Sequence, residues 1–204
     1  MDLTLQTTEG PLSLPDAIRG QWNLLFYYGS DFSPVAATEL MALSAMKEDF
    51  SKAGATLLAI GSDSIPSHLA FSADLERYRP KTAPAAPLRV PLAFDEGGSF
   101  AKQMGLSPKN KYLWLISPEG AIMAAFAYPL ETGVNFTEIL RTLLALQTKN
   151  PTPHGWVPGS HTLLPPPHTQ RERISNMERR ERQGGYCIDW YLCFEGERDD
   201  ELPS

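Results

Sequence analysis

The sequence predicts an α/β layer architecture, and three observations carry that prediction. Short β-like runs alternate with longer helical patterns through residues 1–148. Two apolar runs flank the turn residues Pro118, Glu119 and Gly120, which reads as a β-hairpin. Phe136, Ile139, Leu140, Leu143 and Leu144 recur at helical spacing and form one apolar stripe.

The elements follow in order. Residues 22–28 are an almost continuous apolar and aromatic run, suited to a sheet covered on both faces. Turn residues follow at 29–34, with Ser33 placed to cap a helix and Pro34 at its first position, so a helix is expected over 34–53. Residues 56–60 read as the next buried strand and 64–77 as the next helix. Pro80, Pro84, Pro87 and Pro91 make 80–91 an irregular loop, after which a short strand at 92–94 and a short helix at 99–104 are expected. The hairpin strands are 111–117 and 121–128, and the last helix begins near Asn135. A β-α-β unit followed by a β-β-α unit is a thioredoxin-like arrangement.

Composition narrows the function classes. A chain of 204 residues with 42% apolar and 21% charged residues is a packed domain of ordinary size with an appended arm. Its 24 acidic and 18 basic residues give a net charge of -6, which offers a nucleic acid no electrostatic footprint. No apolar run reaches the roughly 18–20 residues of a membrane span, so no membrane partner is expected. The start Met1-Asp2-Leu3-Thr4 lacks a basic and then apolar leader, and the two cysteines are too few for a disulfide framework; a cytoplasmic location is expected.

Beyond Lys149 the texture changes. Residues 151–167 hold six of the 18 prolines, an extended arm stiffened by proline. Residues 169–183 are charged and helical, and Tyr186, Trp190, Tyr191 and Phe194 then gather aromatics that need a core, their own or a partner's, to dock on. Residues 195–204 form an acidic tail. The domain division is therefore 1–148 and 149–204. His154, His161 and His168 recur every seven residues, but intervening prolines break any common face, and no metal or cofactor is expected.

The stretch Asp31-Phe32-Ser33-Pro34-Val35-Ala36-Ala37-Thr38-Glu39-Leu40 resembles the active-site segment of peroxiredoxins, the thiol peroxidases of the AhpC/TSA family. Tyr128-Pro129-Leu130-Glu131-Thr132-Gly133 resembles the approach to the last core helix of the one-cysteine-like subgroup. Leu164-Pro165-Pro166-Pro167 is similar to that subgroup's arm, and Cys187-Ile188-Asp189-Trp190-Tyr191-Leu192-Cys193 to the C-terminal motif of its archaeal-type members. The resemblance implies a homodimer in which the arm packs across subunits, with rings of dimers as a further assembly. It also implies a thiolate nucleophile in the first turn of a helix, favoured by backbone N–H groups, the helix dipole and an arginine. A hydroxyl three residues earlier orients the peroxide, a proline seven residues earlier shields the pocket, and a C-terminal cysteine resolves the resulting sulfenic acid.

Mapped onto this chain, the hydroxyl position is Ser33, but the peroxidatic cysteine position is Ala36, whose methyl group cannot attack peroxide. The proline position is Gly29, a histidine often found beside it is Tyr28, the strand arginine is Lys111, and a further arginine is Val134. Two explanations stand: a naturally degenerate family member, which the companion changes at Gly29, Lys111 and Val134 favour, or a deliberate cysteine-to-alanine replacement in an active enzyme. The leading expectation is a peroxiredoxin-like protein without peroxidase activity that binds or assembles. One alternative is a thiol peroxidase in which Ser33 orients peroxide and Cys193 resolves. A third is a repurposed enzyme using Ser33, Tyr28 or Lys111 for non-thiol chemistry. Pro34 and Val35 complete the pocket wall, and Tyr27, Tyr28 and Lys111 could hold a small molecule or anion at the helix N-terminus. Cys187 and Cys193, six residues apart, would sit about 20 Å apart on an extended strand, so bonding to each other demands a sharp bend. Small residues packed among Trp190, Tyr191 and Phe194 are the favoured reading of the pair.

Overall fold

The computed structural model describes residues 3–77, 88–183 and 185–195. Two compact units divide the chain, one running to Phe136 and the other starting at Thr137; each is described by itself.

The first unit opens with a hairpin of β1 (Thr4–Thr7) and β2 (Gly10–Ser13), then a single helical turn, α1 (Leu14–Ala17). The sequence reading missed this hairpin, because its strands have four residues each and only Gly10, at φ 111°, marks the turn. β3 (Trp22–Gly29) has six consecutive buried residues and lies between β4 (Ala55–Gly61), parallel to it, and β6 (Asn110–Ile116), antiparallel to it. A strand covered on both faces has to read as an unbroken apolar run, and this one does. β5 (Leu92–Phe94) pairs parallel to β4, and β7 (Ile122–Pro129) closes the hairpin with β6. In that hairpin the Ser117 N–H donates to the Ala121 carbonyl and the Gly120 N–H to the Ser117 carbonyl, both at 2.8 Å. The seven-stranded sheet runs β2-β1-β5-β4-β3-β6-β7.

Where one helix over 34–53 was expected, there are two, α2 (Pro34–Ala45) and α3 (Lys47–Lys52). Met46, at φ -88° and ψ 3°, caps the first and starts the second, and the turn re-aims the chain so that Phe50 is fully buried. α4 (Ile65–Arg77) buries His68, Phe71 and Leu75 at i, i+3 and i+7. Asp95 starts α5 (Ser99–Met104) by accepting from the Phe100 and Ala101 N–H groups at 2.7 and 3.1 Å.

β3 alternates between two faces. Leu24, Phe26 and Tyr28 look one way, where Phe26 meets Phe136 edge to face at 5.5 Å. Leu25 and Tyr27 look the other way, into a cluster with Ile60, Phe100, Trp114 and Ile116. Each such buried side chain contributes about 1.5–3 kcal/mol.

The second unit carries most of α6 (Phe136–Gln147), then the arm, α7 (Gln170–Gln183), β8 (Tyr186–Asp189) and β9 (Leu192–Phe194). Ile139 and Leu143 of the expected stripe are fully buried. Arg141 pairs with Glu138 within α6 and reaches the arm by donating to the Trp156 carbonyl at 3.2 Å. β8 and β9 form a hairpin that places Cys187 opposite Cys193, and the two are joined by a disulfide with 4.0 Å between their Cα atoms. This corrects the reading of the pair as separate packed thiols and of Cys193 as a free resolving thiol. The tight turn through Asp189, Trp190 and Tyr191 supplies the bend that an extended segment lacks. Tyr186 stacks on Phe194 at 4.7 Å, whereas Trp190 and Tyr191 remain about half exposed at the hairpin tip. The expected proline-rich loop falls largely on 78–87 and the acidic tail largely on 196–204, outside the described residues. Thiol titration with a chromogenic disulfide is expected to find no reactive thiol in the folded chain and two after reduction and denaturation. One or more in the untreated protein would contradict the bonded hairpin.

No helix among the described residues is long and apolar enough to cross a membrane.

Candidate functional site

The sequence-predicted site gathers at the first turn of α2. Ser33 caps the helix, accepting from the Ala36 N–H at 3.5 Å, and Pro34 occupies the first helical position. Ala36 is buried, so the helix N-terminus presents a methyl group to its surroundings. Pro34 is exposed and Val35 half-buried beside it. Gly29 leaves β3 at φ 95°, a conformation that favours glycine, and a Cβ there would approach Leu130 to 3.3 Å.

One turn further along α2, Glu39 meets Lys111 of β6. Lys111 Nζ donates to Glu39 Oε1 at 2.5 Å and to the Leu130 carbonyl at 3.3 Å, and both side chains are almost wholly buried. The Val134 N–H donates to the same Glu39 oxygen at 2.8 Å, so this position contributes backbone and no cation. Glu39 Oε2 is buried without a hydrogen-bond partner. Lys111 is therefore engaged by a carboxylate, and the unsatisfied valence on this wall is an acceptor. The expectation of an anion held by Lys111 gains no support from this arrangement, because an incoming anion would face a carboxylate oxygen.

A second buried network adjoins the helix start. Tyr28 Oη donates to Asp31 Oδ1 at 2.6 Å and Ser67 Oγ to Asp31 Oδ2 at 2.7 Å. His68 Nδ1 lies 3.0 and 2.9 Å from the two Asp31 oxygens, while Nε2 lies 3.3 Å from the Ala93 carbonyl. The Asp31 N–H donates to Asp63 Oδ2 at 2.8 Å. Burial alone would raise the Asp31 carboxyl, yet the hydrogen bonds from His68, Tyr28 and Ser67 outweigh it and hold the group below the usual carboxylate range. Burial pushes the Tyr28 phenol far up, with Asp31 adding to the effect, so it stays a neutral donor. Tyr27, expected to share the pocket with Tyr28, faces the opposite side of the sheet. There it stacks on Phe100 at 6.0 Å, and burial followed by Asp95 pushes its phenol up to about 12. The two-residue period of a strand forbids adjacent side chains a common face.

Sequence reasoning singled out neither Asp31, Glu39, Ser67 nor His68 as functional. Asp31 and Glu39 lie inside the quoted motif, and the one histidine outside the arm falls on the buried spacing of α4, which is the signal that could have found it. Gly61 belongs to this network by its smallness: a Cβ there would lie 2.5 Å from Tyr28 Oη and 2.9 Å from His68 Cε1. Gly61→Ala is expected to cost about 1–3 kcal/mol through overpacking, read as a lowered midpoint in urea unfolding. An unchanged midpoint would show that the contact relaxes freely. Cys187 and Cys193 belong to the second unit and are bonded to each other.

A sheet with a capped helix start directly after its central strand β3 is the arrangement of the thioredoxin-like fold class. Residues 1–125 match the AhpC/TSA family and residues 145–178 match the C-terminal domain of 1-Cys peroxiredoxin. The chain belongs to the AhpC/TSA peroxiredoxin family. It is 33% identical over 202 residues to a peroxiredoxin of Methanosarcina mazei, covering 93% of this chain and 92% of the relative. It is 34% identical over 207 residues to peroxiredoxin 2 of Caldanaerobacter subterraneus, covering 95% and 89%. The solved structure of a yeast mitochondrial 1-Cys peroxiredoxin superposes with a TM-score of 0.80 at 26% identity, covering 96% of this chain and 95% of that one.

Proposed function

We propose that this chain is a peroxiredoxin that does not itself reduce hydroperoxides and serves as a binding or assembly protein built on that scaffold. The observation that carries the reading is the first turn of α2, where the buried Ala36 offers no nucleophile. The neighbouring cation supports it, since Lys111 is turned into an ion pair with Glu39. The reading includes a homodimer, open to rings of dimers, in which the arm from residue 149 packs across subunits, and a cytoplasmic location.

The test is hydrogen peroxide consumption with excess dithiol, comparing the chain with its Ala36→Cys variant. Neither is expected to turn over rapidly. A thiol restored at that position still lacks the transition-state contact of a free cation, a loss of the kind that costs about 100- to 1000-fold. Rapid turnover by the variant would overturn the reading. It would favour the second one, a thiol peroxidase with its cysteine replaced, Ser33 orienting peroxide and Cys193 resolving. That second reading has the peroxiredoxin names of the relatives in its favour. It requires the Cys187–Cys193 disulfide to be reduced before Cys193 can act.

A further inference from the structure

The sheet face opposite Tyr28 carries a cavity of about 350 Å³ that the proposed function leaves unused. It opens where the end of α1, α5 and the β6–β7 turn converge. Ile18, Phe100, Met104 and Trp114 make its floor apolar, and Arg19 and Glu119 stand among its lining. The aromatic part of the floor is held in place, since Phe100 meets Trp114 edge to face at 5.8 Å and Trp114 stacks on Tyr112 at 5.9 Å. Ile18 and Met104 are only partly buried against this cluster, and the methionine supplies adaptable surface.

Arg19 is exposed, and among the described residues no carboxylate lies within ion-pair distance of its guanidinium. A planar fork of donors beside an apolar cavity matches a carboxylate head and an apolar tail. We propose that this cavity binds an amphiphilic monocarboxylate, its head on Arg19 and its tail against Phe100, Met104 and Trp114. Its volume lies at the small end of the range of ligand pockets, which suits a medium-chain rather than a long-chain fatty acid.

Calorimetric titration of the full chain with sodium decanoate, decanol and decylamine, all below micelle-forming concentration, tests this. Decanoate is expected to bind saturably at one site and more tightly than either analogue. Arg19→Gln is expected to weaken it about tenfold with an unchanged melting temperature, as loss of a charged hydrogen bond at a surface residue does. Met104→Trp, which fills the cavity, is expected to abolish binding; should that variant fail to fold, the Arg19→Gln comparison decides alone. No decanoate binding, equal binding of decanol, tighter binding of decylamine, or an Arg19→Gln chain that binds decanoate unchanged would each overturn the proposal.

Discussion

Lys111→Met is expected to lower the folding stability by about 3–5 kcal/mol, measured by urea unfolding at pH 7. The variant keeps the aliphatic bulk but strands the Glu39 carboxylate in the interior, where one of its oxygens already lacks a partner. A buried ion pair contributes little net stability against an apolar pair, yet breaking it from one side leaves a desolvated charge. The double variant Lys111→Met with Glu39→Leu should therefore recover most of the loss. A single variant within 1 kcal/mol of the parent would mean that water reaches Glu39.

Asp31→Asn is expected to cost about 3 kcal/mol at pH 7, because an amide must turn its N–H₂ toward donors that Tyr28, Ser67 and His68 now aim at a carboxylate. The pH dependence has a definite sign. The folded Asp31 carboxyl lies below its unfolded value of about 3.9. Its contribution is therefore fully present above that value and is lost as pH falls through the folded one. The stability gap between parent and variant should narrow as pH falls below about pH 4. A gap that widens on acidification would contradict the carboxylate's role as acceptor.

Much of the fold was legible because its signals are local. The aromatic run of β3, the Ser33-Pro34 cap and the Pro118-Glu119-Gly120 turn each carry their own chemistry, and each lies where expected. The break at Met46 was not legible, since the residues on both sides of it are compatible with one continuous helix. In the site, the resemblance pointed to Ser33 and Ala36 through the 31–40 segment and to Lys111 and Val134 through the hairpin turn and the Thr132-Gly133 pair. It could not show that Lys111 and Glu39, 72 residues apart, point at each other. The Asp31–His68 contact, across 37 residues, is of the same kind. Pairings of this sort are decided by strand register and helix rotation, which single-residue patterns do not encode. The disulfide escaped for a related reason: the bend that brings Cys187 to Cys193 has neither glycine nor proline to announce it.

The crowding of Tyr28 against Gly61 has an evolutionary corollary. Once a bulky phenol occupies position 28, any side chain at position 61 collides with it, so the history of one site closes options at the other. Reversal is then ordered: position 28 must shrink before position 61 can grow, and the opposite sequence of steps passes through a poorly folded intermediate. Such contingency holds position 61 to glycine for as long as position 28 carries the phenol, whatever selection asks of position 61 alone.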